Sequence, residues 1–181
     1  GKLYAKADRI DLGKEIARLN KIDLSDTAIT LLMNDTTTNK DTTSTAVNWK
    51  LMLDQIDLDR VAFAMQIPGD SLRLSTYIDK AGLTDGIVDL GSARYSASQF
   101  LLSGSSLSYD GSYSDPAPGF DPAHIALNDV NIRIDSLLYG GRDISARIKK
   151  FSANDRSGLT LSSLTGDISS DSTTIQVPGL L

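Results

Sequence analysis

Short runs in which large apolar residues recur at every second position are the strongest constraint on this chain. Examples are 61–67 (VAFAMQI), 72–78 (LRLSTYI), 130–134 and 144–148, each bounded by Gly, Pro, Asp or Ser. Successive side chains of a β-strand point to opposite faces, so each run predicts a strand with one apolar face. The stretch 12–19 fits a helix and a strand equally well. We therefore expect a mainly β chain with little helix.

The charged residues support this fold class and exclude several functions. Glu15 is the only glutamate among the 23 acidic residues, and the others are Asp, which favours turns over helices. A net charge of −5 argues against a nucleic-acid partner, which requires a basic surface. The absence of Cys excludes disulfides and thiolate chemistry. We expect neither a cofactor nor a metal ion.

A phrase of the form L-x-x-[IV]-[DN]-[LI] recurs at 19–24, 53–58 and 127–132. In each copy two aliphatic residues share one face, and an Asp or Asn between them points to water. Chance similarity among low-complexity β sequences is one explanation. The other is a stacked β architecture in which each unit covers the apolar face of its neighbour.

The order of these runs predicts one β-rich segment over residues 1–181. Glycines at equal offsets in its two halves suggest two degenerate sub-units, at about 48–119 and 120–181. Polar or proline-rich composition predicts loops at 34–45 and 110–122. Asp85-Gly86 and the run 139–142 (YGGR) are candidates for tight turns.

Groups suited to catalysis are scarce. His124 is the only histidine, so a Ser-His-Asp triad would have to use it. We interpret His124 as a residue at a strand edge or loop boundary. Asp57 and Asp59 are spaced to share one face of a strand, as a pair of glycosidase carboxylates would. A solvated polar face opposite Ile56 and Leu58 is the preferred explanation for that pair.

Three motifs in the last third of the chain point to a family. They are 120–135 (FDPAHIALNDVNIRID), 144–148 (ISARI) and 156–159 (RSGL). In this order they resemble the AsmA-like superfamily, and within it the TamB-type translocation and assembly module of Bacteroidetes-like bacteria. Asp155 stands where that family often has Glu. The motifs are structural rather than catalytic.

The resemblance implies a fragment of a long envelope protein that spans the periplasm. Its anchor in the inner membrane would be a helix outside this sequence. Such proteins form elongated, stacked antiparallel strands in a twisted sheet or trough (β-taco-like) with an apolar interior. The implied function is not enzymatic. It is to shield phospholipid in transit to the outer membrane, or to support outer-membrane protein assembly with machinery that contacts other parts of the protein.

The residues expected to line a lipid groove are the aliphatic and aromatic members of these strands. They are Ile56, Leu58, Val61, Phe63, Met65, Ile67, Leu72, Leu74, Val130, Ile132, Ile134, Ile144 and Ile148. The same faces could instead close onto each other as a dry core.

Two other functions remain open. One is a cell-surface adhesion or glycan-binding module, with Trp49, Tyr95, Tyr109 and Tyr113 as the available aromatic platform. The other is a carbohydrate-active enzyme built on the Asp pair.

Overall fold

The computed structural model describes residues 1–33, 48–67, 69, 72–112, 114–140, 143–170 and 175–176. One sheet of nine strands, ordered along the chain, makes up the fold, which confirms the predicted β class. The strands are β1 (Lys2–Asp11), β2 (Ile16–Leu32), β3 (Lys50–Ile67), β4 (Leu72–Asp89), β5 (Arg94–Asp110), β6 (His124–Gly140), β7 (Asp143–Asp155), β8 (Thr160–Ser170) and β9 (Ile175–Gln176).

Neighbouring strands pair antiparallel, with one exception. β2 and β3 run parallel, so the expectation of purely antiparallel strands is wrong for this pair. A parallel pair needs a connection long enough to return along the strand. The residues between Leu32 and Lys50 supply that length. The predicted loop at 34–45 lies outside the described residues, and the division into two sub-units stays a prediction.

Two local expectations are settled by the strand bounds. The ambiguous stretch 12–19 contains no helix, because a turn occupies 12–15 and β2 begins at Ile16. Asp85-Gly86 is not a hairpin turn, because both residues lie inside β4. Asp85 has a φ of 51°, a conformation that serves a bulge as well as a turn.

Six of the described residues with positive φ lie in two rows that cross the sheet. Row one contains Asp26, Arg60, Gly104 and Asp129, on β2, β3, β5 and β6. Row two contains Asp85 on β4 and Ser136 on β6. Because a residue with positive φ interrupts the regular extended backbone, the two rows divide the long strands into three segments. We call these the near wall, the floor and the far wall; in β3 they are 50–53, 55–59 and 61–67.

The alternation of apolar residues changes phase at each row. In β3 the side chains on the apolar face have odd residue numbers in the near wall, even numbers in the floor and odd numbers again in the far wall. The register agrees with this, because Leu53 pairs with Gly86, Ile56 with Leu83 and Val61 with Ile78. Directly paired residues share a face. The phase changes therefore keep most of the large apolar side chains of β3 on one face; Met52, which pairs with Ile87, lies on the other.

The sheet bends towards this apolar face. Val61, Ser105 and Val130 each directly follow a row-one residue, lie on the apolar face and are at most 4% exposed. Burial at the inner side of a bend is expected when a single layer folds towards that side. The result is a groove with an apolar floor and mostly apolar walls, in which Ser105 and Thr76 are polar exceptions.

Candidate functional site

The floor of the groove consists of two register rows without a polar side chain. Both rows run from β1 to β8 through direct strand partners. The first is Ala5, Ile22, Ile56, Leu83, Phe100, Ile134, Ile148 and Gly166, and the second is Leu3, Leu24, Leu58, Ala81, Leu102, Ile132, Phe151 and Leu164. Every cross-strand pair in the floor is therefore a contact between hydrocarbon groups or glycine.

All thirteen residues expected to line a groove lie on this one face. Five belong to the floor (Ile56, Leu58, Ile132, Ile134 and Ile148), six to the far wall (Val61, Phe63, Met65, Ile67, Leu72 and Leu74), Val130 to a bend and Ile144 to the near wall. Val61 and Val130 are buried, Ile144 is 40% exposed, and the other ten are half-buried.

Sequence reasoning missed several members of the floor. Leu83, Phe100, Leu102 and Phe151 lie in the same two rows, but their segments lack a run that alternates cleanly in sequence. The signal that could have found them is the phase change itself. In β5 the residues on the apolar face change from odd to even numbers at Ser98 and back to odd numbers at Gly104.

The described strands leave the apolar face without a second layer. Each strand contacts the strands beside it in the sheet, and no extensive contact joins strands that are not neighbours. Half-burial of the lining residues thus comes from their own neighbours on the face and not from a covering element. Among the described residues the groove is open.

Charged side chains occupy the opposite face of the floor. Lys21 reaches Asp23 at 3.2 Å and Asp57 at 3.8 Å, and the hydrogen bond with Asp23 raises the pKa of Lys21. Arg60 lies 2.7 Å from Asp26 and 2.8 Å from Asp59, and it lowers the pKa of Asp26. Asp57 and Asp59 therefore both contact basic side chains on the outer surface.

A shallow pocket of about 340 Å³ also opens on the outer face, behind the far wall. Two adjacent register rows contribute two side chains from each of five strands, and nearly all are small. They are Ala28, Ala62, Tyr77, Ser106 and Asn128 in one row, and Thr30, Ala64, Ser75, Ser108 and Ala126 in the other. The residues between these two rows also line the pocket, so it shares Phe63 with the far wall; they are Ile29, Phe63, Thr76, Leu107 and Leu127.

His124 connects the β5–β6 loop to the sheet. Its Nδ1 lies 3.1 Å from the Asp110 carboxylate, and its Nε2 lies 3.4 Å from the Ser114 hydroxyl. The ring is buried at the first position of β6, and the His124 carbonyl accepts a hydrogen bond from Arg156. Ser114 donates its own amide to Ser112, so that amide is not available to stabilise an oxyanion. The arrangement holds a loop in place, as the position of His124 at a loop boundary predicts.

The three family motifs lie on neighbouring strands. The first covers the last residues of the β5–β6 loop and most of β6, the second lies in β7 from the near wall to the floor, and the third forms the β7–β8 turn beyond the far wall. In that turn Asp155 accepts the Ser157 amide at 2.8 Å, and hydrogen bonding with the Ser157 side chain and amide lowers the pKa of Asp155. The short Asp side chain suits a bond to an amide two residues ahead.

The described residues also bear on metal binding and on membrane spanning. No group of three or more His, Asp or Glu side chains is placed to hold a metal ion there. That part of the chain also contains no helix long and apolar enough to cross a membrane.

Comparison with known proteins adds no relative. No family model, curated protein or solved structure matches the chain. The likeness to the AsmA-like superfamily therefore depends on the three motifs.

Proposed function

We propose that this chain is a non-enzymatic segment of an AsmA-like, TamB-type envelope-biogenesis protein of the periplasm. Its groove would shield the acyl chains of phospholipid in transit to the outer membrane. The parent protein would be anchored in the inner membrane by a helix outside this sequence. Other parts of the parent protein would contact the outer-membrane assembly machinery.

The observation that carries this proposal is the pair of hydrocarbon floor rows. Each row crosses eight strands, which at a spacing of about 4.8 Å corresponds to roughly 34 Å along the groove. The floor is five residues wide along a strand, which corresponds to about 17 Å across the groove. One leaflet of a bilayer has a hydrocarbon depth of about 15 Å, so a groove of this size can hold the chains of a phospholipid. Each CH₂ removed from water contributes about 0.8 kcal/mol.

A hydrocarbon floor favours lipid over an extended protein client. A polypeptide laid along the groove would bring backbone amides and carbonyls to a surface that offers them no hydrogen-bonding side chain. Acyl chains need no such partner. Support for outer-membrane protein assembly is therefore better assigned to the parent protein than to this floor.

The glycan-binding alternative has one observation in its favour. Tyr95 and Tyr139 stack with ring centroids 5.9 Å apart, and exposed aromatic rings can bind sugars. Both rings lie on the apolar face, next to Ile144 and Val88. A sugar would also need converging polar groups there, so this function remains second to lipid binding. Specific binding on a glycan array would favour it.

The test uses photo-crosslinking amino acids in the chain as it stands. Phe63 and Leu74 face the groove from the far wall, and Arg73 lies between inward positions on the outer face of the same wall. After expression with an envelope lipid source, mass spectrometry should find phospholipid adducts at the two inward positions. The level of adducts at Arg73 gives the background of nonspecific crosslinking. Equal labelling at all three positions would contradict a lipid groove.

A further inference from the structure

Two tyrosines mark the mouth of the groove on the near wall. Tyr95 and Tyr139 are direct partners on β5 and β6, at the last inward positions before the strands end there. Their rings are stacked at an interplanar angle of 29° and are 37% and 46% exposed. A stacked pair at a rim is ordered by its own contact, so its hydroxyls are held near the water boundary.

The far wall of β5 ends in the same way. Tyr109 is the last inward residue of that wall, paired with Leu74 on β4 and Ile125 on β6. β5 thus carries a tyrosine at both rims, with Phe100 and Leu102 in the floor between them. This order matches the aromatic belts that flank the hydrocarbon layer of membrane proteins.

Among the described residues, the stacked rings of Tyr95 and Tyr139 contact each other and no protein group forms a hydrogen bond with either hydroxyl. Each can therefore donate to a ligand. From floor to rim the groove therefore offers hydrocarbon and then hydroxyl donors.

This order matches a glycerophospholipid, in which the ester carbonyls follow directly on the acyl chains. Building on the proposed function, we propose that Tyr95 and Tyr139 form a binding site for the ester groups of a diacyl phospholipid. Their hydroxyls donate hydrogen bonds to the ester carbonyl oxygens while the acyl chains lie on the floor. The site thereby distinguishes ester lipids from lipids that lack a carbonyl.

The experiment compares two short-chain phosphatidylcholines that differ only in this group. One is a diacyl lipid, and the other is the dialkyl ether lipid of equal chain length, both below their critical micelle concentrations. Isothermal titration of the unmodified chain should show about threefold to tenfold tighter binding of the diacyl lipid, the range expected from one hydrogen bond. The double variant Tyr95→Phe/Tyr139→Phe should lose this preference and keep its affinity for the ether lipid.

Tyr77→Phe is the matched control, because Tyr77 is 44% exposed and lies on the outer face. It should bind both lipids as the unmodified chain does. Equal affinity of the unmodified chain for the two lipids would overturn the tyrosine site and leave the groove intact. The tyrosine site would also be overturned if the double variant retained the preference, or if its affinity for both lipids fell by the same factor. Binding of neither lipid would overturn the proposed function itself.

Discussion

Single residues with positive φ decide where this sheet bends. Three of the seven non-glycine examples are aspartates, namely Asp26, Asp85 and Asp129. Asp tolerates the left-handed region better than most residues because its short side chain bonds locally. The abundance of Asp over Glu is therefore partly a consequence of the bends. The sequence could not separate bulges from turns, because both use the same chemistry and only the cross-strand partner distinguishes them.

Ser136 allows this role to be tested, since it has a φ of 61° and an exposed side chain in row two. Ser136→Val should lower the free energy of unfolding by about 1–2 kcal/mol, because β-branched residues are strained there. Ser136→Gly should leave it unchanged or raise it by up to about 1 kcal/mol. Urea unfolding measures both. Ser96→Val, at an ordinary position of β5, should be nearly neutral; a loss there equal to that at Ser136 would remove the strain argument.

The β5–β6 loop should contribute an acid-sensitive part of stability. The Asp121 carboxylate accepts the amides of Ala117 and Ala123 at 2.9 Å each, and these bonds lower its pKa below the usual value near 3.8. A carboxyl group whose pKa is lower in the folded state stabilises the fold at pH values above its usual pKa. This stabilisation is lost as the pH falls through the lowered pKa.

Asp121→Ala should therefore lower Tm at pH 7 by more than it does at pH 3. Thermal unfolding followed by circular dichroism at the two pH values gives both differences. Asp115→Ala, in the same loop, should show no such contrast. An equal loss of Tm from Asp121→Ala at both pH values would contradict the role of the ionised carboxylate.

At the scale of the element, the strands are longer than the runs that predicted them. The phrase at 53–58 and the run at 61–67 read as two strands, yet both belong to β3. The change of phase at Arg60 resembles a break in sequence, although the strand continues through it and its pairing with β2 and β4 keeps the same register. Inward residues could be predicted within each run because alternation is local. The floor rows could not, because they depend on pairing between distant segments.

The end of β2 is an edge that lacks the usual protection. β1 pairs with β2 only as far as Ser25, so the described residues leave one side of Thr27–Leu32 without a strand. The sequence 27–33 (TAITLLM) has no charged residue, and Ile29 and Leu31 are more than 40% exposed. Uncharged β-prone edges promote association between chains.

Thr30→Lys should accordingly reduce concentration-dependent association, as sedimentation velocity over a range of concentrations would show. Thr30 lies on the outer face, so the added charge does not enter the groove. Ser75→Lys is the control, because Ser75 shares the register row of Thr30 but has strands on both sides. If both variants, or neither, change the sedimentation coefficient, the edge is not the site of association.

At the scale of the molecule, an open single layer leaves much surface exposed. The accessible surface is 11763 Å², against about 8,500 Å² for a compact monomer of 19.4 kDa. The hydrophobic residues that are truly buried are few and mostly small, namely Ala17, Val61, Ala97, Val130 and Ala153. Stability therefore depends on cross-strand pairs, and a ligand that covers the apolar face can add to it.

This dependence predicts that lipid stabilises the folded chain by mass action. At a free lipid concentration of 100 times Kd, the free energy of unfolding should rise by about 2.7 kcal/mol. Differential scanning calorimetry with a short-chain phosphatidylcholine would detect the rise as an increase in Tm. Leu58→Asn places a polar group in the floor, so it should remove most of this increase while costing about 1–2 kcal/mol without lipid.

Lys80→Asn supplies the comparison, because Lys80 is exposed on the outer face and pairs with Asp59. Its lipid-induced increase in Tm should equal that of the unmodified chain. If Leu58→Asn kept the full increase, the lipid would bind elsewhere, for example at the small-residue pocket behind the far wall. The contrast between two substitutions to the same residue, one on each face of one sheet, thus assigns the stabilising surface.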